Sequence, residues 1–395
     1  MKVGLVYSMS GFRSSKEKAS LEGALLAIHE INLRGGVNGK QIQAIIRDGK
    51  SNWKTTSQEI EDLILNEKVE AVFGGWSKAN VLVKDLIEKH KHFLIYPFQY
   101  EGIINSPNVL WVGTSLNQQV SPTIAYCLKH IGNKFYLIGS EYLAAHTINL
   151  LARDQLQALG GEVLGERYLP FENESPNNES LDSIIQDIIS KQPDVILSSI
   201  IDKGNYQFFN KLSSAGITAE RIPTFSFSLN EIFLQEAGNE NLGPIIGNFA
   251  TWNYFESIDS PLNKQFVLDF QTFSHLTALD NSVEASYLGV RLWAKAANEA
   301  GTTNPQALRY ILAGMRINAP EGLVTVDTEG LRAWKHSRIG KVLANGQFEL
   351  VWTSQSQIRP IPFQIHHSKI EWDQLTETLK TYSLDPMQGI KEGHE

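Results

Sequence analysis

Residues suited to binding a small polar molecule follow several buried hydrophobic runs of the chain, which the pattern predicts to be strands. These segments contain Trp76 and Ser77; Tyr96, Phe98 and Gln99; Tyr142; Ile201 and Asp202; and Ser228. They supply hydroxyls, amides, a carboxylate and aromatic faces, and the nearby cations are Lys78 and Lys203. The sequence shows no cationic clamp for a carboxylate or phosphate. A neutral amide fits better, because a buried amide left unpaired costs about 1–3 kcal/mol.

Motifs for catalysis are missing from the sequence. It contains no HExxH, GxSxG or CxxC motif, no GxGxxG after a strand and no phosphate-binding loop. His90 and His92 flank one lysine and His366 and His367 are adjacent, which is not the spacing of metal ligands. Cys127 lies in an apolar helical stretch, which predicts a buried structural thiol. We therefore expect no catalytic residues, no metal and no cofactor.

The composition indicates a folded protein with two domains. The chain has 395 residues, of which 42% are hydrophobic and 20% charged. A net charge of −8 without a basic run argues against nucleic acid as a direct partner. Its apolar runs have the length of strands, so we expect no membrane insertion. The first predicted strand begins at Lys2, which indicates a cytoplasmic protein if Met1 is the native start and an extracytoplasmic one if a signal peptide was removed.

Strands and helices are predicted to alternate along most of the chain. The pattern runs from a strand at Lys2 to a strand ending at Tyr96, and it starts again with a helix after Pro122. Such alternation is typical of parallel sheets covered by helices, and the length favours two doubly wound α/β lobes over one large sheet. Later segments are richer in helix, with Asn304 placed to cap one helix and Asn345-Gly346 forming a turn between two strands.

Several motifs resemble those of one protein family. They are Gly74-Gly75-Trp76-Ser77, Tyr96-Pro97-Phe98-Gln99-Tyr100-Glu101-Gly102, Ser106-Pro107-Asn108-Val109, Asn117-Gln118-Gln119, Gly139-Ser140-Glu141-Tyr142, Thr251-Trp252-Asn253-Tyr254-Phe255 and Ile358-Arg359-Pro360. With these motifs the chain resembles, from Lys2 to about Trp372, the urea and short-chain amide group of the type I periplasmic-binding-protein superfamily.

This resemblance implies two Rossmann-like lobes joined by a three-crossover hinge, with the ligand in the cleft between them. The first lobe would comprise residues 1–117 and about 251–325, the second residues 118–250 and about 326–372, and residues 373–395 would form a tail. By position, Ser77 would match the ligand-binding hydroxyl of the family, Tyr96 the tyrosine before proline, and Tyr142 the aromatic cover from the second lobe. Trp76, Gln99, Trp252 and Tyr254 resemble the pattern of the urea receptors.

Two departures from the family bear on the ligand. Ala144 stands where the family often has a tyrosine, which would remove a wall of the pocket. The loop after Trp76 is one residue short, so Lys78 could replace Ser77 in the site and admit an anion.

We therefore expect non-catalytic binding of urea or a short-chain aliphatic amide, with closure recognised by an ABC-type permease or by a regulatory protein. The resemblance also leaves a homodimer open. One alternative is a branched-chain amino-acid receptor of the same superfamily. Another is an amide-hydrolysing enzyme, in which Glu141 or Glu101 would act with Ser77.

Overall fold

The computed structural model describes residues 1–75, 80–102, 105–170, 178–361, 370–371 and 374. The chain forms two compact units. The first unit consists of Met1–Ser115, Asn253–His336 and Ser354–Pro360, and the second of Leu116–Trp252, Ser337–Thr353 and Ile361–Glu395. Each has its own sheet and its own helices, which confirms the predicted two-lobed α/β architecture. The domain limits derived from the sequence remain a prediction.

The main sheet of the first unit has five parallel strands. They are β1 (Lys2–Tyr7), β2 (Gln43–Asp48), β3 (Val72–Gly74), β4 (Leu94–Tyr96) and β5 (Val109–Trp111). Their order in the sheet is β2-β1-β3-β4-β5. Since all five run in the same direction, their carboxyl ends lie along one edge of the sheet, where α/β proteins place ligands.

In the described part of the first unit there are six α-helices. They are α1 (Ser14–Leu33), α2 (Trp53–Asp62, extended by a π-helical turn to Glu67), α3 (Asn80–Lys89), α9 (Pro261–Ser274), α10 (Asn281–Ala300) and α11 (Pro305–Leu312). The predicted cap of α11 is confirmed, because the Asn304 side chain accepts hydrogen bonds from the first turn. Helices α1 and α10 pack closely at Gly23, where a Cβ would lie 2.5 Å from the carbonyl oxygen of Val283. A short antiparallel sheet of β11 (Arg316–Ala319), β12 (Gly322–Val326) and β13 (Ala333–Trp334) completes this unit.

The second unit is built around a seven-stranded mixed sheet. Its strands are β6 (Lys134–Ser140), β7 (Glu162–Leu169), β8 (Val195–Ser199), β9 (Thr224–Ser226), β10 (Phe249–Trp252), β14 (Arg338–Val342) and β15 (Phe348–Thr353). In the order β15-β14-β10-β9-β8-β6-β7, the last five strands are parallel to one another, and β14 is antiparallel to both of its neighbours, β10 and β15. The predicted turn at Asn345 and Gly346 joins β14 to β15 and is confirmed.

The helices of the second unit correct one detail of the sequence analysis. They are α4 (Leu116–His130), α5 (Leu143–Leu159), α6 (Asn178–Lys191), α7 (Lys203–Ser214) and α8 (Glu231–Leu242, kinked at Gly238). The expected restart after Pro122 was wrong, because α4 already begins at Leu116 and contains this proline. Strands β5, β10, β11 and β13 and helix α8 were not predicted. Among the described residues, no helix combines the length and apolarity needed to cross a membrane.

Candidate functional site

The candidate site of the first unit lies at the carboxyl edge of its parallel sheet. Strand β4 ends at Tyr96, and the turn Pro97-Phe98-Gln99 follows it directly. Tyr96 and Phe98 are buried, and Gln99 is half-buried. The structure therefore brings three of the predicted ligand residues together on one turn.

Aromatic rings form a continuous file along this edge. The Phe98 ring meets Tyr96 at 5.7 Å and Tyr7 at 5.9 Å, both edge to face at 75°. The file continues from Tyr96 to Trp111 at 5.3 Å and from Trp111 to Tyr100 at 4.9 Å. All five side chains are at most 5% exposed. Edge-to-face packing of this kind fixes ring orientation, so the file is a rigid apolar wall.

Gly113 allows the Phe98 turn to lie against the chain that leaves β5. A Cβ at Gly113 would lie 1.7 Å from the carbonyl oxygen of Phe98, a distance that no side chain can occupy. The amides of Val112 and Gly113 both donate to the carbonyl oxygen of Tyr96, at 2.9 and 3.2 Å. The position of the aromatic turn thus depends on the absence of a side chain at Gly113.

A cation that the sequence analysis missed lies beside this wall. The guanidinium of Arg13 is 5.8 Å from the centre of the Phe98 ring. Its Nε lies 2.6 Å from Oε1 of Glu17, while Oε2 of Glu17 accepts a hydrogen bond from the Ser8 amide at 2.5 Å. The spacing of Arg13 and Glu17 by four residues just after the first strand was a readable signal of this ion pair. The expectation that only lysines supply cations near the strand ends was therefore wrong.

The loop that carries Arg13 is anchored to the end of β2. The Asp48 carboxylate accepts hydrogen bonds from the Ser10 hydroxyl at 2.7 Å and the Met9 amide at 2.8 Å. Burial raises the pKa of Asp48, but these bonds and the Lys50 amide outweigh it and hold the pKa below its ordinary value. Asp48 thus stays ionised and fixes the approach of Arg13 to the site.

Glu101 is a buried carboxyl group near this edge whose pKa is raised, whereas that of Asp48 is lowered. It follows the Phe98 turn and is 8% exposed. Burial raises the pKa of Glu101 to about 7, although its own backbone amide and the charge of Arg13 oppose the shift. This carboxyl can therefore donate or accept a hydrogen bond near neutral pH.

The second unit presents its candidate residues at the ends of β6 and β8. Tyr142 precedes helix α5, is half-buried, and donates its amide to the Ser140 carbonyl at 2.8 Å. The Ser140 hydroxyl accepts a hydrogen bond from the Ile201 amide at 3.2 Å. Ser140 thereby connects the strand end before Tyr142 with the segment that carries Ile201 and Asp202.

Asp202 has a strained backbone. Its φ and ψ angles are 47° and −134°, a conformation that glycine adopts readily and other residues rarely. It precedes helix α7, and its carbonyl accepts a hydrogen bond from the Asn205 amide at 3.0 Å. Strain at a half-buried carboxylate on a strand end is typical of a functional position.

Ser228 belongs to a hydrogen-bond network below this segment. Its hydroxyl donates to the Ile200 carbonyl and accepts from the Asn205 amide group at 3.2 Å. The same amide group of Asn205 donates to the Ile200 carbonyl at 2.9 Å. The network fixes the Ile201-Asp202 segment on the end of β9.

Trp252 and Tyr254 lie in different units. The Trp252 indole nitrogen donates to the Leu229 carbonyl at 2.6 Å in the second unit, which places its ring beside the Ser228 segment. Tyr254 is completely buried in the first unit, and its hydroxyl donates to Asn263 at 2.7 Å. This bond gives Tyr254 a structural contact at the start of α9. Trp76, Ser77 and Lys78 lie outside the described residues, and the ligand roles of all these residues remain predictions.

Close in sequence to the position where the chain departs from the family, a histidine contacts a glutamate. Ala144 is buried at the start of α5. Two residues later, Nε2 of His146 lies 2.5 Å from Oε1 of Glu141, and its ring stacks on Tyr168 at 3.9 Å. Glu141 is therefore engaged by a histidine of its own unit.

The thiol of Cys127 and the arrangement of possible metal ligands bear on whether the chain has a catalytic site. Cys127 is fully buried, and burial raises the pKa of its thiol, which confirms a structural role. Within the described ranges, no three His, Cys, Asp or Glu side chains gather as metal ligands would.

Comparison with curated proteins yields a partial match. Limonene hydroxylase of Geobacillus stearothermophilus is 26% identical over 117 residues, which are 29% of this chain and 21% of that protein. The chain thus matches about a fifth of the length of this curated relative.

Solved structures match over almost the whole chain. A solute-binding protein of an ABC transporter from Rhodopseudomonas palustris HaA2, in complex with p-hydroxybenzoic acid, has a TM-score of 0.80 at 21% identity and covers 91% of this chain and 98% of its own. A branched-chain amino-acid ABC transporter ligand-binding protein from Burkholderia xenovorans LB400 has a TM-score of 0.79 at 16% identity, with 89% and 95% covered. A branched-chain amino-acid transporter substrate-binding protein from Streptococcus pneumoniae, in complex with isoleucine, has a TM-score of 0.75 at 19% identity, with 91% and 99% covered. At these identities the likeness shows the fold.

The family model provides the assignment, because it covers far more than half of the chain. This model describes a periplasmic binding protein domain and matches residues 1–369 of the chain. The resemblance to the type I periplasmic-binding-protein superfamily is confirmed, whereas the urea and amide subgroup remains a prediction. This chain belongs to the periplasmic binding protein domain family.

Proposed function

We propose that this protein binds a small neutral amide, urea or a short-chain aliphatic amide, and performs no chemistry on it. The observation that carries the proposal is the ion pair between Arg13 and Glu17, at 2.6 Å. The guanidinium beside Phe98 already has a carboxylate partner, so a ligand carboxylate would have to compete with Glu17 for it. A neutral ligand meets no such competitor.

The remaining chemistry of the two strand edges supports the same ligand class. Phe98 supplies an apolar face, the Glu101 carboxyl can accept or donate a hydrogen bond near neutral pH, and Asp202 supplies an acceptor. An amide needs acceptors for its N–H groups, a donor for its carbonyl and a flat apolar surface. In the proposal, ligand contacts at these residues favour the closed state of the protein.

In the proposal, the closed protein is recognised by an ABC-type permease or by a regulatory protein. The family and the solved structures of the same fold are those of binding proteins, and the similar structures described above belong to ABC transport systems. The same fold binds isoleucine in the Streptococcus pneumoniae protein, so a branched-chain amino-acid receptor is the second candidate. In that case Asp202 would pair with the ligand ammonium.

The experiment is thermal unfolding with a panel of ligands at low millimolar concentration. The panel consists of urea, formamide, acetamide, propionamide, leucine, acetate and 4-hydroxybenzoate. A ligand present at 100 times its Kd adds about 2.7 kcal/mol to the stability, which raises the Tm by a few degrees. The proposal predicts a shift with at least one amide. A shift with leucine or with either acid counts against the proposal only if Tyr142→Ala abolishes that shift.

Two variants locate the binding. Tyr142→Ala should abolish the shift, whereas Tyr310→Ala, at a side chain that is 83% exposed on α11, should leave it unchanged. A shift with leucine alone would support the amino-acid receptor and contradict the amide proposal. Ammonia release from acetamide would instead show an amide-hydrolysing enzyme.

A further inference from the structure

A groove in the first unit lies away from the predicted ligand residues. It has a volume of about 660 Å³ and is bounded by α1, α9 and α10, with Pro320 at one end. Volumes of about 300–1,000 Å³ are typical of sites for small molecules. None of the residues singled out by the sequence analysis lines it.

The floor of the groove is aromatic, and its rim includes exposed apolar side chains. Phe266 and Tyr287 are 4% and 6% exposed, and their rings pack at 4.7 Å. On the rim, Leu33 is 75% exposed and Leu262 41% exposed. Large apolar side chains left open beside a concave aromatic surface indicate that the groove can bind an apolar body.

The carboxylates that line the groove are already engaged by their neighbours. Glu30 accepts a hydrogen bond from the Tyr287 hydroxyl at 2.9 Å and lies 3.5 Å from the guanidinium of Arg34. Asp269 accepts a hydrogen bond from the Gln265 amide group at 2.8 Å. Each carboxylate therefore already accepts a hydrogen bond from a neighbouring side chain.

Arg291 differs from the two carboxylates in its hydrogen bonding. Its guanidinium lies over the Tyr287 ring, 5.2 Å from the centre, and the side chain is half-buried in the groove wall. Among the described residues, it has no ion pair or hydrogen bond, although it could form a two-pronged contact with a carboxylate. The groove thus combines an aromatic floor with an arginine that has spare hydrogen-bond donors.

We propose that this groove is a second binding site, which takes a small carboxylic acid with an aromatic or alkyl body. The body would lie on Phe266 and Tyr287, and the carboxylate would bind Arg291. The site is separate from the one proposed for the amide, so both ligands could bind at once.

Calorimetric titration of the full chain with 3-phenylpropionate tests the proposal, with 3-phenylpropan-1-ol as the uncharged control. We expect the acid to bind and the alcohol to bind at least about tenfold more weakly, because the contact with a charged group is lost. Saturating acetamide should leave the affinity for the acid unchanged. Failure of this prediction is distinct from failure of the amide proposal, because acetamide binding is measured in the same experiment.

Variants assign the binding to the groove. Arg291→Gln should weaken the acid at least about tenfold, whereas Arg309→Gln, at an exposed arginine of α11, should not. Leu33→Glu places a negative charge on the exposed rim, where folding is not at risk, and should also weaken the acid. The proposal is overturned if the acid does not bind up to about 10 mM, if Arg291→Gln binds it normally, or if acetamide or Phe98→Ala abolishes its binding.

Discussion

The ammonium group of Lys335 lies 2.8 Å from the carboxylate of Glu321, and neither side chain is more than 1% exposed. A second buried carboxylate, that of Glu284 on α10, lies 3.8 Å from the same ammonium. Burial, and then repulsion by Glu321, raises the pKa of Glu284, although Lys335 and Arg291 oppose the shift. In the core of the first unit, the Lys335 ammonium thus pairs with Glu321 and lies near a second carboxyl group, directly before the chain leaves this unit at His336.

Lys335→Met should destabilise the first unit by about 3–5 kcal/mol, because it leaves the buried Glu321 carboxylate without its cation. Chemical denaturation followed by tryptophan fluorescence measures the change. Lys295→Met is the matched control, because this lysine is 41% exposed and pairs with Glu299 on the surface of α10, where a pair contributes about 0–1 kcal/mol. Equal effects of the two substitutions would show that the buried cluster does not hold the unit together.

Stability should fall as the pH rises from about 5 to 7, because Glu101 retains its proton longer in the folded state. The pKa of Glu101 is raised from an ordinary 4.5 to about 7. The contribution of this group to the stability of the folded state is therefore fully present below a pH of 4.5 and is lost as the pH approaches 7. The slope for one proton is at most about 1.4 kcal/mol per pH unit. Denaturation across this range should show a flatter profile for Glu101→Gln than for the unmodified chain.

Two other buried carboxyls have raised pKa values, so their protonated forms also favour the folded state. They are Glu284 and Asp280, both shifted mainly by burial. Glu284→Gln should therefore flatten the profile independently of Glu101→Gln. A pH profile of stability that neither substitution changes would contradict the prediction that these buried carboxyls retain their protons longer in the folded state.

Gly113→Ala should displace the turn that carries Phe98, because the added methyl group would lie 1.7 Å from a carbonyl oxygen. We expect a loss of about 1–3 kcal/mol or more and a weaker response to the amide ligand. Gly243→Ala is the control, because a Cβ there meets no atom within 4 Å. Normal stability and ligand response of Gly113→Ala would show that the turn tolerates a different path.

Asp202→Gly should stabilise the protein by about 1 kcal/mol, because glycine adopts its φ of 47° without strain. The same substitution should weaken ligand binding, since it removes the carboxylate. Asp202→Asn keeps a residue with a side chain in the strained conformation and removes only the charge. Binding that is unaffected by both substitutions would remove Asp202 from the site.

The sequence determined the order and the type of most elements. The first strand begins at Lys2 and a helix is capped by Asn304, both as predicted, because apolar runs and capping residues are local signals. Strand β5 was not predicted, although β4, which was predicted, has the same length. Pro122 misled the prediction of α4, because the local rule that proline begins or ends a helix was overridden in the folded chain.

What only the tertiary structure decided is which side chains meet. The sequence placed Tyr96, Phe98 and Gln99 on one strand end, because neighbours along the chain stay together in space. It could not show that Arg13 lies over Phe98 or that Lys335 meets Glu321 and Glu284, since these residues are far apart along the chain. Such contacts depend on strand order and helix packing, which short-range patterns do not encode.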